Sequence, residues 1–251
     1  MTDDTSGSGI ERTPGDESVS DLDERVLALA DDELLMGHHH SEWICVAPLL
    51  EEDLAFCSIG QDELGHAHAL YRWLAGGEES GIDRWALRRP SAGYRSAWLT
   101  ERPTPEWSEA LVRHWLYDTA EGIRWTAFLE APDDELRGIA ALALREEAYH
   151  RRHGDVLVER LLTGTDESRG HIAAALETLS PLAAGLFEGD DDGYRTFVAQ
   201  CDALLNRYDV TVVWPVAPPT GQGRAGVRSE HFAALHQRLN TVLDLDPEAA
   251  W

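Results

Sequence analysis

Two segments of this chain carry a carboxylate and an imidazole three residues apart. They are Glu63–His66, within Gln61-Asp62-Glu63-Leu64-Gly65-His66, and Glu147–His150, within Arg145-Glu146-Glu147-Ala148-Tyr149-His150. On a helix, residues three apart share a face. Each pair therefore offers a metal ion one hard oxygen donor and one nitrogen donor. Two such pairs on facing helices, with one acid from each of two further helices, make a site whose carboxylates bridge two metal ions. The motif alone carries little weight. With 24 Glu and 11 His among 251 residues, chance supplies a pair of this kind.

The register of the helices carries more. Helical periodicity dominates the chain, and no run alternates as a strand would. A first helix is expected over about Ser20–Ile44, with Val26, Leu27, Ala30, Leu34 and Met36 at helical spacing. Pro48 marks a turn and suits the first turn of a second helix, which runs to about Ala75 and stops at Gly76–Gly77. In an antiparallel pair, residues equidistant from the turn lie at one level. Glu63 lies about 15 residues past the turn, so its partner falls near position 32, where Asp32 and Glu33 stand. A second hairpin, about Pro105–Glu130 and Pro132–Thr163, places Asp118 level with Glu147. The spacings are 30 for Glu33–Glu63 and 29 for Asp118–Glu147. The expected metal ligands are thus Glu33, Glu63, His66, Asp118, Glu147 and His150.

Other residues take lesser places. Glu121, one turn from Asp118, is an alternative ligand. Asp62 and Glu146 precede the motif glutamates and are placed to orient the histidines. His40, seven residues from Glu33, is expected to line the cavity. Glu42 lies about 14 Å along the axis from Glu33, so it is expected to anchor the hairpin end. His38, His39 and His40 point in different directions and share no metal. His68 and His153 lie off the motif face and are read as structural.

Residues 76–104 form a long connection between the hairpins. Further helices are expected over about Ser168–Phe187, Asp192–Tyr208 and Glu230–Leu243, with 214–227 irregular. Two hairpins joined by one long crossover give an all-α, ferritin-like four-helix bundle, here with additional C-terminal helices. The division expected is a disordered acidic N-terminus at 1–20 and a helical domain at 21–251.

The net charge is −25, and every one of the 21 basic residues is Arg. Such acidity disfavours nucleic acid and anionic membranes. It is read as a solvated coat suited to high salt, hence a halophile; a surface for a basic partner is the alternative. No apolar stretch is long enough to span a membrane, and no secretory signal is evident. Cys45, Cys57 and Cys201 form no metal or redox spacing and read as free thiols of a cytoplasmic protein.

The segments around Gln61–Ala67 and Arg145–His150 resemble the ligand helices of the phenylacetyl-CoA epoxidase family. Ala47-Pro48 and Asp118 fit its catalytic subunit. Ser41-Glu42-Trp43, Ala47-Pro48-Leu49-Leu50-Glu51, Leu162–Asp166 and the tail Thr220–His231 resemble its structural, PaaC-type subunit instead. The resemblance spans about residues 22–251. It implies a ferritin-like oxygenase subunit with two Fe ions (Mn as an alternative) that uses O₂ on an aryl-CoA. It also implies a paralogous oxygenase subunit and an iron–sulfur flavoprotein reductase as partners, in a hetero- or homo-oligomer. Structural subunits of well-known members have lost several ligands that this sequence retains. A non-catalytic scaffold, and a stand-alone ferroxidase, peroxidase or manganese catalase, are the rival expectations.

Overall fold

The computed structural model describes residues 20–246. The expected disordered N-terminus therefore lies, Ser20 apart, outside the described residues, as does the chain beyond 246. Among the described residues the regular structure is entirely helical.

Helix α1, Asp21–Ser41, opens on Ser20. The Ser20 hydroxyl accepts the Asp23 N–H and the Asp23 carboxylate accepts the Ser20 N–H, so two otherwise unpaired donors are satisfied. Helix α2, Leu50–Leu74, ends at Gly76 and Gly77, whose φ angles of 67° and 87° need no Cβ. Pro48 is a correction to expectation. The helix is preceded by Leu49 in extended conformation, so Pro48 lies in the turn and outside the first helical turn.

The crossover is more ordered than a plain connection. It holds α3, Glu79–Ala86, and a short α4, Trp98–Glu101. The second hairpin consists of α5, Trp107–Phe128, and α6, Asp134–Leu162, the latter capped by the Asp133 carboxylate on Leu136 N–H. Then come α7, Asp166–Ala183, α8, Asp191–Leu205, and α9, Phe232–Leu245. Helix α1 packs on α2, α5 on α6, and α2 meets α6. This is the ferritin-like arrangement.

Two apolar clusters hold the bundle. One gathers Val26, Leu29, Leu70, Leu74, Trp125 and Phe128; the other sets α7 and α8 against Met36, Val112, Trp115 and Leu116. Along both α1 and α5, the buried acids Glu33, Asp118 and Glu121 fall between residues of the two clusters.

Segment 214–227 is irregular, with one short turn at Gly223–Ala225, but it is firmly tied down. Any side chain at Gly223 would collide with the Ser96 carbonyl. That close approach lets Arg224 reach inward to Asp32 at 2.6 Å and to the carbonyls of Ala28, Arg95 and Leu186. Arg228 bonds Glu101 and Ser96 Oγ, each at 2.6 Å.

Candidate metal centre

Four helices of the bundle deliver carboxylates to one buried level. Glu33 comes from α1, Glu63 and His66 from α2, Asp118 and Glu121 from α5, and Glu147 and His150 from α6. All seven are buried. Donor atoms of Glu33, His66 and Glu147 lie within 4.8 Å of one another, the only such group of potential metal ligands among the described residues. His66 Nδ1 is 3.3 Å from Glu33 Oε2 and 3.6 Å from Glu147 Oε1. His150 Nδ1 is 3.3 Å from Glu147 Oε1, so the second motif adjoins this group. Glu63 and Asp118 are buried beside it without belonging to it.

The outward sides of the two histidines are held in a crossed pattern. His66 on α2 gives Nε2 to Glu146 of α6 at 2.8 Å, while His150 on α6 gives Nε2 to Asp62 of α2 at 3.1 Å. Each outer acid stands one residue before the other helix's motif glutamate. An imidazole whose Nε2 hydrogen is engaged outward presents Nδ1 inward as a lone pair, the orientation a metal requires. The Trp125 indole N–H fixes Glu33 Oε1 at 3.2 Å.

The inner atoms are conspicuously unpaired. Glu63 Oε1, both Asp118 oxygens, Glu121 Oε2, both Glu147 oxygens and His150 Nδ1 are buried without hydrogen-bond partners. An unpaired buried carboxylate is costly unless it takes up a proton or meets a cation. Burial accordingly pushes the pKa of Glu63, Asp118 and Glu121 well up, and that of Glu147 to about 7. Burial opposes charge on His66, but Glu33 and Glu147 outweigh it and its pKa rises to about 10. His150 rises to about 9: burial opposes charge there too, and Glu147 outweighs it. Oxygen-rich, nitrogen-containing and internally unsatisfied, this donor set fits one or more divalent transition-metal ions.

Asp32 and Glu33, adjacent in sequence, have opposite fates. Asp32 turns from the cluster and meets Arg224 and Arg124, together with the Ala97 N–H and the Thr100 hydroxyl. Its pKa stays low despite burial because of those two guanidiniums. Glu33 faces the histidines. His40 gives Nδ1 to Glu63 Oε2 at 2.7 Å. His39 reaches the Thr100 carbonyl and His38 lies half-buried near Glu42, so the three consecutive histidines do diverge. Glu42 binds His39 and Arg238 at the hairpin end, remote from the cluster.

Three participants escape the spacing argument. His114 Nδ1 lies 3.0 Å from Asp118 Oδ2, and its Nε2 is 3.1 Å from His153 Nδ1. His153 in turn meets Glu52 at 3.0 Å. Arg124 joins Glu121 at 2.7 Å to Asp32 at 2.8 Å. His114 and Arg124 were open to discovery, since each stands three or four residues from an acid on its own helix. Trp125 gave no such signal. Arg124 also belongs to the lining of a cleft of about 570 Å³, along with Leu29, Phe128, Arg25, Arg95 and Arg224.

A family model described as "Phenylacetic acid catabolic protein" matches residues 10–251. The chain belongs to the phenylacetic acid catabolic protein family. Within the curated proteins, one of the subunits of 1,2-phenylacetyl-CoA epoxidase from Escherichia coli (strain K12) is 29% identical over 251 residues, covering 93% of this chain and 100% of that protein. The likeness spans the hairpins and the C-terminal helices alike, so this family member shares more than the bundle core with that relative. No helix among the described residues is long and apolar enough to cross a membrane.

Proposed function

We propose that this family member is a metal-bearing subunit of a multicomponent di-iron mono-oxygenase that acts on phenylacetyl-CoA or a similar aryl-CoA in phenylacetate catabolism. One observation carries the reading. Both Glu-x-x-His motifs are locked from outside by each other's helix, while the inward donor atoms are left without partners. A scaffold has no need of such an arrangement.

Two iron ions, with manganese as the alternative occupant, would be held by Glu33, Glu63, His66, Asp118, Glu147 and His150, with Glu121 adjoining. When bound, the metal supplies the binding and reduction of O₂ that ring 1,2-epoxidation requires. The chain supplies the rest. Asp62 and Glu146 hold the imidazoles in the ligating orientation, and Trp125 and His40 fix Glu33 and Glu63. Burial keeps water out, which strengthens every electrostatic contact inside. The arginine-bearing cleft that ends on Arg124 is the approach we assign to the aryl-CoA, whose phosphates suit guanidinium groups. Electrons come from an iron–sulfur flavoprotein reductase, and the assembly is made whole by a paralogous oxygenase subunit. Three free thiols accord with a cytoplasmic setting, and the lysine-free acidic composition with a halophile.

Iron analysis tests the proposal. The purified protein is expected to hold two irons per chain, and an E63A/E147A double variant to lose them. Equal, near-zero iron in both refutes the site. One observation favours a second reading, a non-catalytic subunit that stabilises a catalytic paralogue. Arg124 already neutralises part of the cluster, and only three donors converge closely. A loaded site that turns over with reductase and aryl-CoA excludes that reading. Oxidation of iron or peroxide without a reductase would point to the stand-alone rivals.

A further inference from the structure

Helix α6 keeps a row of large apolar side chains in solvent. Leu142, Tyr149 and Val156 are 48%, 60% and 48% exposed, and they recur every seven residues. A seven-residue repeat on one helix is the spacing at which a second helix lies along a seam. Between them, at the positions that complete a heptad pattern, stand the exposed Arg145 and Arg152. Neither makes an ion pair or hydrogen bond with a described residue. The setting makes this unusual, since Arg72, Arg89, Arg95, Arg124, Arg224 and Arg228 are all engaged with acids.

The row borders α2. Glu146 and His153, just beside it, bond His66 and Glu52 of that helix. The near edge of α2 carries the small, exposed Ser58 and Gly65, and an added Cβ at Gly65 would meet nothing. A shallow trough therefore runs between a small-residue edge on α2 and a large apolar row on α6. Its floor includes the partly exposed acids Asp62 and Glu146 that hold the motif histidines.

A second copy of this chain does not suit the trough. A two-fold axis through Tyr149 would pair Leu142 with Val156, but it would also set Arg145 against Arg152. Like charges face to face weaken such a contact, and each chain brings a further net charge of −25. A helix that offers apolar residues to the row and carboxylates to the two arginines has the opposite character on both counts.

We infer that the α6 row beside α2 seats an acidic amphipathic helix of the paralogous oxygenase subunit. The inference rests on the multicomponent reading above and specifies its interface. Docking there covers Asp62 and Glu146, so the partner closes the outer side of the metal centre.

The test mixes the full chain with the paralogous oxygenase subunit encoded by the same genome and measures association by sedimentation and fluorescence anisotropy. The wild-type chain forms a one-to-one complex. Charge reversal in R145E/R152E, and separately Y149D, weaken it at least about tenfold, as central interface positions do. R84E, an equally exposed reversal on α3, leaves it unchanged. Unaltered circular dichroism of each variant shows that the fold is intact. If the wild type binds and both face variants bind equally well, the inference is overturned while the multicomponent reading stands. If the wild type does not bind the paralogue, the multicomponent reading fails first. If the chain alone dimerises and Y149D abolishes the dimer, the face belongs to a second copy and the inference is overturned.

Discussion

Glu146 and Asp62 touch no inward donor atom, yet they decide what the histidines present there. E146Q and D62N keep shape and remove charge. Each is expected to weaken metal affinity about 10- to 100-fold, as losses of such outer partners do. Competition with a chromophoric chelator measures this, and an unchanged affinity would count against the proposed orientation. The same residues set a pH dependence for the metal-free protein. Glu147 titrates at about 7 in the fold, against an ordinary value of 4.5, so its contribution is complete below 4.5 and lost as pH rises through 7. His66 and His150 titrate at about 10 and about 9, against an ordinary value of 6.5, so theirs is complete below 6.5 and lost toward those values. All three contributions fall between pH 6.5 and 9. The urea midpoint of the metal-free chain should therefore decrease across that range. Loading with metal should flatten or reverse the trend, because a cation then takes the place of the protons. A metal-free midpoint that rises with pH would contradict the proposed environment. Sequence spacing brought attention to Glu33 rather than Glu42, and to both outer acids. It could not divide Asp32 from Glu33, because that division depends on Arg124 and Arg224, which lie far along the chain.

The irregular tail segment matters more to the bundle than its lack of secondary structure implies. Arg224 is the partner that lets Asp32 be buried as an anion. R224A leaves that carboxylate with Arg124 alone among its charge partners, and removing one member of a buried pair costs about 3–5 kcal/mol. G223A forces a methyl against the Ser96 carbonyl and is expected to cost about 1–3 kcal/mol. Denaturant unfolding measures both, and a loss below about 0.5 kcal/mol in each would show that the tail merely lies on the surface. Helices were the legible elements. Their periodicity, the Gly76–Gly77 stop and the Asp133 cap are local signals, and the observed ends depart from expectation by a few residues. The order within the crossover, α3 and α4, and the clasp of Arg224 and Arg228 were not legible. Their partners stand 127 to 192 positions away, beyond anything periodicity can report.

Over the whole molecule, 46 acids face 21 arginines. The self-repulsion of that surplus is screened over about 10 Å at 0.1 M salt and about 3 Å at 1 M. The melting temperature should therefore rise as potassium chloride increases from about 0.1 to 2 M, and a flat response would remove the argument for a high-salt habitat. The buried pairs are shielded from this effect, so R224A should lose the same stability at both salt concentrations. The joining of Asp32 to Arg224 also sets an order in time. A ribosome adding about 5–20 residues per second delivers Arg224 roughly 10–40 s after Asp32. Both metal-ligand hairpins emerge within that interval, while the acid beside Glu33 still has no cation from the tail. The nascent chain can thus pair its helices early but cannot bury the first of them in final form until its last quarter is made. Iron offered during synthesis meets a bundle that is still open along α1, and iron offered afterwards meets one that the tail has shut.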